Sequence, residues 1–116
     1  MTKRKAERLT GYEIRSVGAN DGKVAYGAFR AEELVTVAEH ATEDLALDVL
    51  VREVYKLNSL EVLKQHGWRC ARCRSARRLQ IHHRRYRSHG GSHQIDNLEP
   101  VCRDCHKLIH RQERSL

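Results

Sequence analysis

Two cysteine pairs, Cys70-Ala-Arg-Cys73 and Cys102-Arg-Asp-Cys105, are separated by 28 residues and contain every cysteine of the 116-residue chain. A CxxC turn lets two sulfurs point at one centre, and two such turns complete a tetrahedral four-sulfur site. Zinc suits thiolates and has no redox chemistry of its own. Arg69, Arg72, Arg74 and Arg103 flank the pairs and favour deprotonated thiols. Two disulfides are the alternative, but they need an oxidising compartment. The N-terminal MTKRKAERLTG lacks the apolar stretch of a secretory signal, so a cytoplasmic location is expected. A dithiol redox site is a third option, and no thioredoxin-like pattern accompanies either pair. The reading is two zinc knuckles sharing one structural Zn²⁺. Their separation exceeds that of the simplest zinc ribbons, so the segment between them is an insert with its own structure.

Charge singles out the same region. Residues 1–65 hold ten Lys/Arg against eleven Asp/Glu, whereas residues 66–116 hold twelve against four. Seven of the eight histidines also lie in that second stretch. The length suits one compact domain, or a small domain with an extension. No apolar run approaches the ~18 residues of a membrane-spanning helix, so no membrane partner is expected.

The first eight residues read as a mobile charged tail. Residues 12–18 and 23–29 read as two strands joined through Asn20-Asp21-Gly22, a strong hairpin signal. From Ala31 to Asn58 the apolar spacing, with Leu34, Val35, Val37 and Ala38 and then Leu47, Leu50, Val51 and Val54, predicts helix. Ser59 then caps a last short helix, stopped by Gly67. The expected division is residues 1–58, a β-hairpin with a helical extension of unknown role, and residues 59–116, the part that carries the chemistry.

Within the insert, Leu79-Gln80-Ile81-His82-His83 predicts a short strand, Gly90-Gly91 a loop, and residues 97–101 a returning strand. After Cys105 the run His106-Lys-Leu-Ile-His110 fits a helix with both imidazoles on one face, able to share one metal. Adjacent residues of a regular strand point to opposite faces. A strand-end twist or bulge is therefore expected to bring one of His82 and His83 to that metal and leave the other beside it, placed as a general base. His40, His66, His89 and His93 are expected to be solvated, and Trp68, next to the first knuckle, to lie in the core.

These residues together resemble the HNH endonucleases, a ββα-metal fold. The resemblance covers about residues 59–113 and rests on both CxxC pairs, His82-His83, Gly90-Gly91, Asp96-Asn97-Leu98 and the CxxCHxxxH ending, in the family's order. It implies an α+β ββα-metal core with two zinc knuckles, preceded by the hairpin and helical extension. It further implies that His82, His106 and His110 hold a catalytic divalent cation (Mg²⁺, Mn²⁺, Ni²⁺ or Zn²⁺) and that His83 is the general base. Asn97 would brace the loop that presents His83, and Cys70, Cys73, Cys102 and Cys105 would hold structural zinc. The activity implied is phosphodiester hydrolysis leaving 5′-phosphate and 3′-hydroxyl ends. The cysteines make the chain more similar to phage or restriction-type members than to toxin-type ones.

The substrate side falls to Arg77, Arg78, Arg84, Arg85, Arg87, Lys107 and Arg111, a basic surface suited to phosphate backbones. Arg103 and Arg114 lie on or near the same helix. Aromatic residues are scarce there, which favours double-stranded DNA over stacked single strands. The alternatives are a non-catalytic zinc-stabilised nucleic-acid-binding module, and a protein-interaction module working through residues 12–57. Residues 31–57 could equally mediate a homodimer or a larger assembly.

Overall fold

The computed structural model describes residues 1–18 and 21–114. The chain divides into two compact units, Met1–Leu57 with Ser92–Gln94, and Asn58–Gly91 with Ile95–Leu116. Among the described residues no helix is long and apolar enough to cross a membrane.

The first unit begins with a helix where a mobile tail was expected. Helix α1 spans Lys3–Thr10. Its N-terminus is capped by the Thr2 side chain, which accepts from the Lys5 N–H at 3.1 Å. Gly11, at φ 76°, closes the other end by donating its N–H to the Glu7 carbonyl. The tail reading followed the charges. It overlooked that Ala6 and Thr10, four apart, form a buried stripe, with Leu9 packed beside it.

Strands β1 (Glu13–Gly18) and β2 (Val24–Arg30) pair antiparallel, as the hairpin signal predicts. Asn20 of the expected turn lies outside the described residues. The helix expected from Ala31 does not form there. Residues Glu33–His40 are a third strand, β3, antiparallel to β2 in a sheet of order β1-β2-β3. Val35-Thr36-Val37 is a β-branched run that fits a pleated surface better than a helix. Ala31 and Glu32, at φ 50° and 69°, supply the positive φ values of a tight hairpin turn.

Helix α2 then runs unbroken over Glu43–Gln65. The Thr42 hydroxyl accepts from the Leu45 N–H at its start, and Glu43 and Asp44 occupy the first turn, where acids suit the helix dipole. Ser59 lies inside this helix and does not begin a separate one. Gly67 does end it: its N–H donates to Lys64 O at 3.0 Å while the Trp68 N–H donates to Leu63 O at 2.8 Å, with Gly67 at φ 62°.

Ile14, Ala28 and Ala38 from the sheet, Ala6 from α1, and Leu47, Leu50, Val51 and Val54 from α2 form the core of the first unit. Leu47 and Leu50 are fully buried, each contributing roughly 1.5–3 kcal/mol. His93, expected to be solvated, is buried at 4% exposure. Its N–H donates to Leu9 O at 2.8 Å and its ring packs on Tyr55.

In the second unit, β4 (Leu79–His83) and β5 (Leu98–Cys102) form an antiparallel two-stranded sheet, and α3 (Arg103–Arg114) follows β5 directly. The architecture is thus mixed α+β with two small sheets. The core here consists of Cys70, Val101, Cys102 and Ile109, with Leu79 and Cys105 packed against it. Trp68 is not part of it and is 49% exposed.

The β4–β5 connection depends on Gly91. Its N–H donates to Tyr86 O at 2.9 Å, and a Cβ there would run into the Arg85 carbonyl. Gly91→Ala is expected to push residues 85–91 outward and to cost about 1–3 kcal/mol, read as a lower melting temperature. An unchanged melt would mean that this loop yields freely.

Candidate functional site

The four cysteine sulfurs lie within 4.8 Å of one another. A tetrahedral ion about 2.3 Å from each sulfur sets neighbouring sulfurs about 3.8 Å apart; Cys73 and Cys102 sulfurs are 3.6 Å apart. Backbone geometry builds the cluster. Cys70 Sγ accepts from the N–H groups of Arg72 and Cys73, and Cys102 Sγ accepts from the Cys105 N–H. The Arg74 N–H returns to Cys70 O at 3.0 Å and the Ala71 N–H to Pro100 O at 2.8 Å. Burial pushes the Cys70 thiol up, but the N–H groups of Cys73, Cys102 and Arg72 outweigh it and bring the pKa down to about 6. The hydrogen bond between Cys105 and Cys102, with burial, pushes the Cys105 thiol up to about 12. The donor set fits zinc: soft sulfur, tetrahedral spacing, and one thiol already poised to ionise.

A second cluster joins β4 to α3. Ring nitrogens of His82, His106 and His110 lie within 4.8 Å of one another, and the His106 and His110 Nε2 atoms are 3.0 Å apart. The i, i+4 spacing on α3 aligns the latter two, as the sequence predicts. His82 reaches them without the expected bulge: β4 and β5 keep regular register, with His82 opposite Glu99 and His83 opposite Leu98. Ordinary pleating turns buried His82 one way and half-buried His83 the other. Burial lowers the His82 pKa. Burial, then the neighbouring imidazoles His110 and His82, lower that of His106. Both shifts favour the neutral form that metal ligation requires, and three nitrogen donors leave coordination positions open on an ion.

His83 ends β4, and the chain beyond it is tied to Asn97. The Arg84 N–H donates to Asn97 O at 2.8 Å. The Arg85 N–H donates to Asn97 Oδ1 at 2.8 Å, and Asn97 Nδ2 returns to Arg85 O at 3.1 Å. The Asn97 side chain thereby holds both the N–H and the carbonyl of Arg85, and the Asn97 backbone carbonyl holds the Arg84 N–H.

Sequence reasoning missed four residues of this region. Glu99 is buried at 4% exposure and accepts from Arg72 at 2.8 Å, with Arg84 at 3.6 Å. The hydrogen bond to Glu99 raises the Arg72 pKa. Gln80 Oε1 lies 2.6 Å from His106 Nδ1. The Tyr86 hydroxyl lies 3.0 Å from His110 Nδ1 and donates to Glu113, an interaction that raises the tyrosine pKa. Strand alternation could have found Gln80, two residues before His82; the others need the register.

The expected basic residues are not equivalent. Arg84 is drawn to Glu99, and Arg85 Nε donates to His89 O at 2.8 Å. Arg77, Arg78 and Arg103 line a cleft of about 570 Å³ beside Cys73, Cys102 and Cys105, and have no salt bridge among the described residues. Lys107 and Arg111 line a second hollow of about 370 Å³ on α3, and Arg87 is exposed.

Residues 70–112 match the family model of the HNH endonucleases. No curated protein and no solved structure matches the chain.

Zinc added to metal-free protein is expected to raise the melting temperature, and Cys102→Ser to abolish the effect. Because thiols must lose protons to bind, and Cys105 holds its proton to about 12, affinity should rise from pH 6 to pH 8 in a chelator competition. Equal affinity at the two pH values would exclude the thiols as ligands.

Proposed function

We propose, from the match of residues 70–112 to the HNH endonuclease family model, that the protein is a metal-dependent endonuclease hydrolysing DNA phosphodiester bonds. In this reading residues 59–116 are the nuclease domain, with a ββα-metal core, and double-stranded DNA is the substrate. The observation that carries it is the convergence of His82, His106 and His110, one residue from His83 and the Asn97-braced chain. Decay to a zinc-stabilised binding module would be expected to loosen some part of that constellation.

The trio would hold the divalent cation, which when bound supplies positive charge to a phosphate oxygen and to the leaving 3′ oxygen. His83 takes a proton from water as the water oxygen bonds to phosphorus. The P–O3′ bond breaks on the opposite side, and the 3′ oxygen leaves and takes up a proton from solvent water to become a hydroxyl, with the phosphate retained on the 5′ end. Asn97 contributes by holding the backbone of residues 84 and 85, so that His83 cannot swing with the loop. Zinc held by Cys70, Cys73, Cys102 and Cys105 would brace the end of β5, where Cys102 lies, and the start of α3, where Cys105 lies. The cytoplasm, where thiols stay reduced, is the compartment that suits this site.

Arg77, Arg78 and Arg103 are the residues of choice for phosphate contacts, because no salt bridge engages them among the described residues, with Asp104 the one acid lining their cleft. Removing a charge that contacts phosphate lowers the salt slope of DNA binding by about 0.9. Arg77→Ala and Arg103→Ala are each expected to show that loss in binding titrations over a salt series. Arg84→Ala should show less, its charge being partly met by Glu99.

Cleavage is tested with supercoiled plasmid, zinc-loaded protein and added Mg²⁺, Mn²⁺ or Ni²⁺, with EDTA as control. Nicked or linear DNA is expected, with His83→Ala about 10²–10⁴-fold slower and equally well folded. Wild-type cleavage by His83→Ala would overturn its assignment as base. Intact plasmid in every metal, with salt-sensitive binding retained, would favour the binding module.

A further inference from the structure

Both helix histidines have their outward nitrogens committed. His106 Nδ1 meets Gln80 Oε1 at 2.6 Å, and His110 Nδ1 meets the Tyr86 hydroxyl at 3.0 Å. Their Nε2 atoms face each other across 3.0 Å. An imidazole that binds a cation through Nε2 must carry its proton on Nδ1, and that proton needs an acceptor.

The chemistry of the two acceptors fixes the direction of each bond. A glutamine carbonyl oxygen can only accept, so the bond at Gln80 requires the proton on His106 Nδ1. A tyrosine hydroxyl can donate or accept, but an ionised carboxylate only accepts. Glu113 therefore accepts the hydrogen bond of the Tyr86 hydroxyl, leaving an oxygen lone pair for the His110 Nδ1–H. The result is a three-membered chain, imidazole to phenol to carboxylate. The Tyr86 ring also lies against that of His110, with centroids 5.4 Å apart and planes 23° apart, which fixes the rotation of the imidazole.

We propose that Gln80 and the Tyr86–Glu113 pair are positioning residues that hold His106 and His110 as Nδ1–H tautomers, so that both Nε2 lone pairs face one divalent cation. This rests on the reading of the histidine trio as a cation site. Gln80 and Glu113 are exposed and contribute nothing to the apolar core, so their role is in the hydrogen bonds they make.

The test uses the full-length, zinc-loaded protein titrated with Co²⁺, followed by visible d–d absorption and by calorimetry. Wild type is expected to bind one Co²⁺ beyond its zinc, with the spectrum of a nitrogen-ligated ion. Tyr86→Phe keeps the stacked ring but removes the hydroxyl, and Gln80→Leu removes the carbonyl. Each is expected to weaken Co²⁺ binding by about 10- to 100-fold and to shift the d–d bands, with zinc content and melting temperature held. Gln80→Glu retains an acceptor and should restore wild-type affinity. If Tyr86→Phe and Gln80→Leu bind Co²⁺ within twofold of wild type, with unshifted bands, the positioning role is overturned and the cation site stands. If wild type itself binds no ion beyond zinc, the trio is not a cation site and both readings fall together.

Discussion

The second unit is organised around sulfur. Its sulfur-centred cluster sets Val101 and Ile109 beside buried Cys70 and Cys102, and with Val62, Leu98 and Pro100 as further buried apolar side chains the apolar core is small for a unit of this size. Metal–thiolate bonds can supply what packing does not, since the free energy of binding a structural ion is also free energy of folding. The backbone is arranged accordingly, with three N–H groups aimed at two sulfurs and Pro100 lending its carbonyl to the first knuckle. Proline costs little there, because a two-stranded sheet has edges on which a missing donor goes unnoticed. The second CxxC pair runs into the first turn of α3, so Cys105 directly precedes His106. Whatever fixes the sulfurs fixes the rotation of the helix that carries His106 and His110.

Glu99 links this scaffold to the histidines. It is the buried acid of β5, opposite His82, and it is bonded to an arginine from the first knuckle. Arg72 and Arg84 have side chains more than half exposed, so water screens their side of the pairing and its net contribution approaches the surface value of about 0–1 kcal/mol. The stronger constraint is negative: without a guanidinium the carboxylate would be buried uncompensated, which is costly. Glu99 is therefore better understood as setting where Arg72, and with it the knuckle, must sit against β5 than as a source of stability.

The parts of the fold legible in the sequence were those with rigid local rules. CxxC spacing, i, i+4 histidines and the alternation of residues 79–83 depend on geometry within a few residues, and the structure has each where the pattern puts it. Residues 33–40 were misread because four apolar side chains in five positions satisfy helical and extended spacing alike. The decision lay with β2, whose edge offers β3 a partner. Helix α1 was hidden because its caps, Thr2 and Gly11, act on a stripe of small residues. His93 was misjudged for a related reason: a polar loop residue gives no local sign that Leu9 and Tyr55 will enclose it. Glu99, Tyr86 and Glu113 could not be singled out, since their partners lie 15 or more positions away in sequence.

The hardest electrostatic demand on the proposed site is that a divalent cation bind within a stretch holding twelve Lys/Arg and only four Asp/Glu. Three neutral imidazoles bring no charge to offset that field. The placement of the acids answers it. Of Asp96, Glu99, Asp104 and Glu113, Glu99 stands opposite His82 across the strands and Glu113 stands behind His110 through Tyr86. Burial lowers the His82 pKa, and the charges of Glu99 and Glu113 act in the opposite direction without reversing it. Arg77, Arg78 and Arg103 are gathered instead along the cleft beside the cysteines. In the proposed reading, the charge offered to a phosphate backbone and the carboxylates nearest the histidines thus fall on different parts of one small unit, with Asp104 alone among the acids lining the arginine cleft. Such separation is what a site needs if it is to bind a polyanion and a dication together.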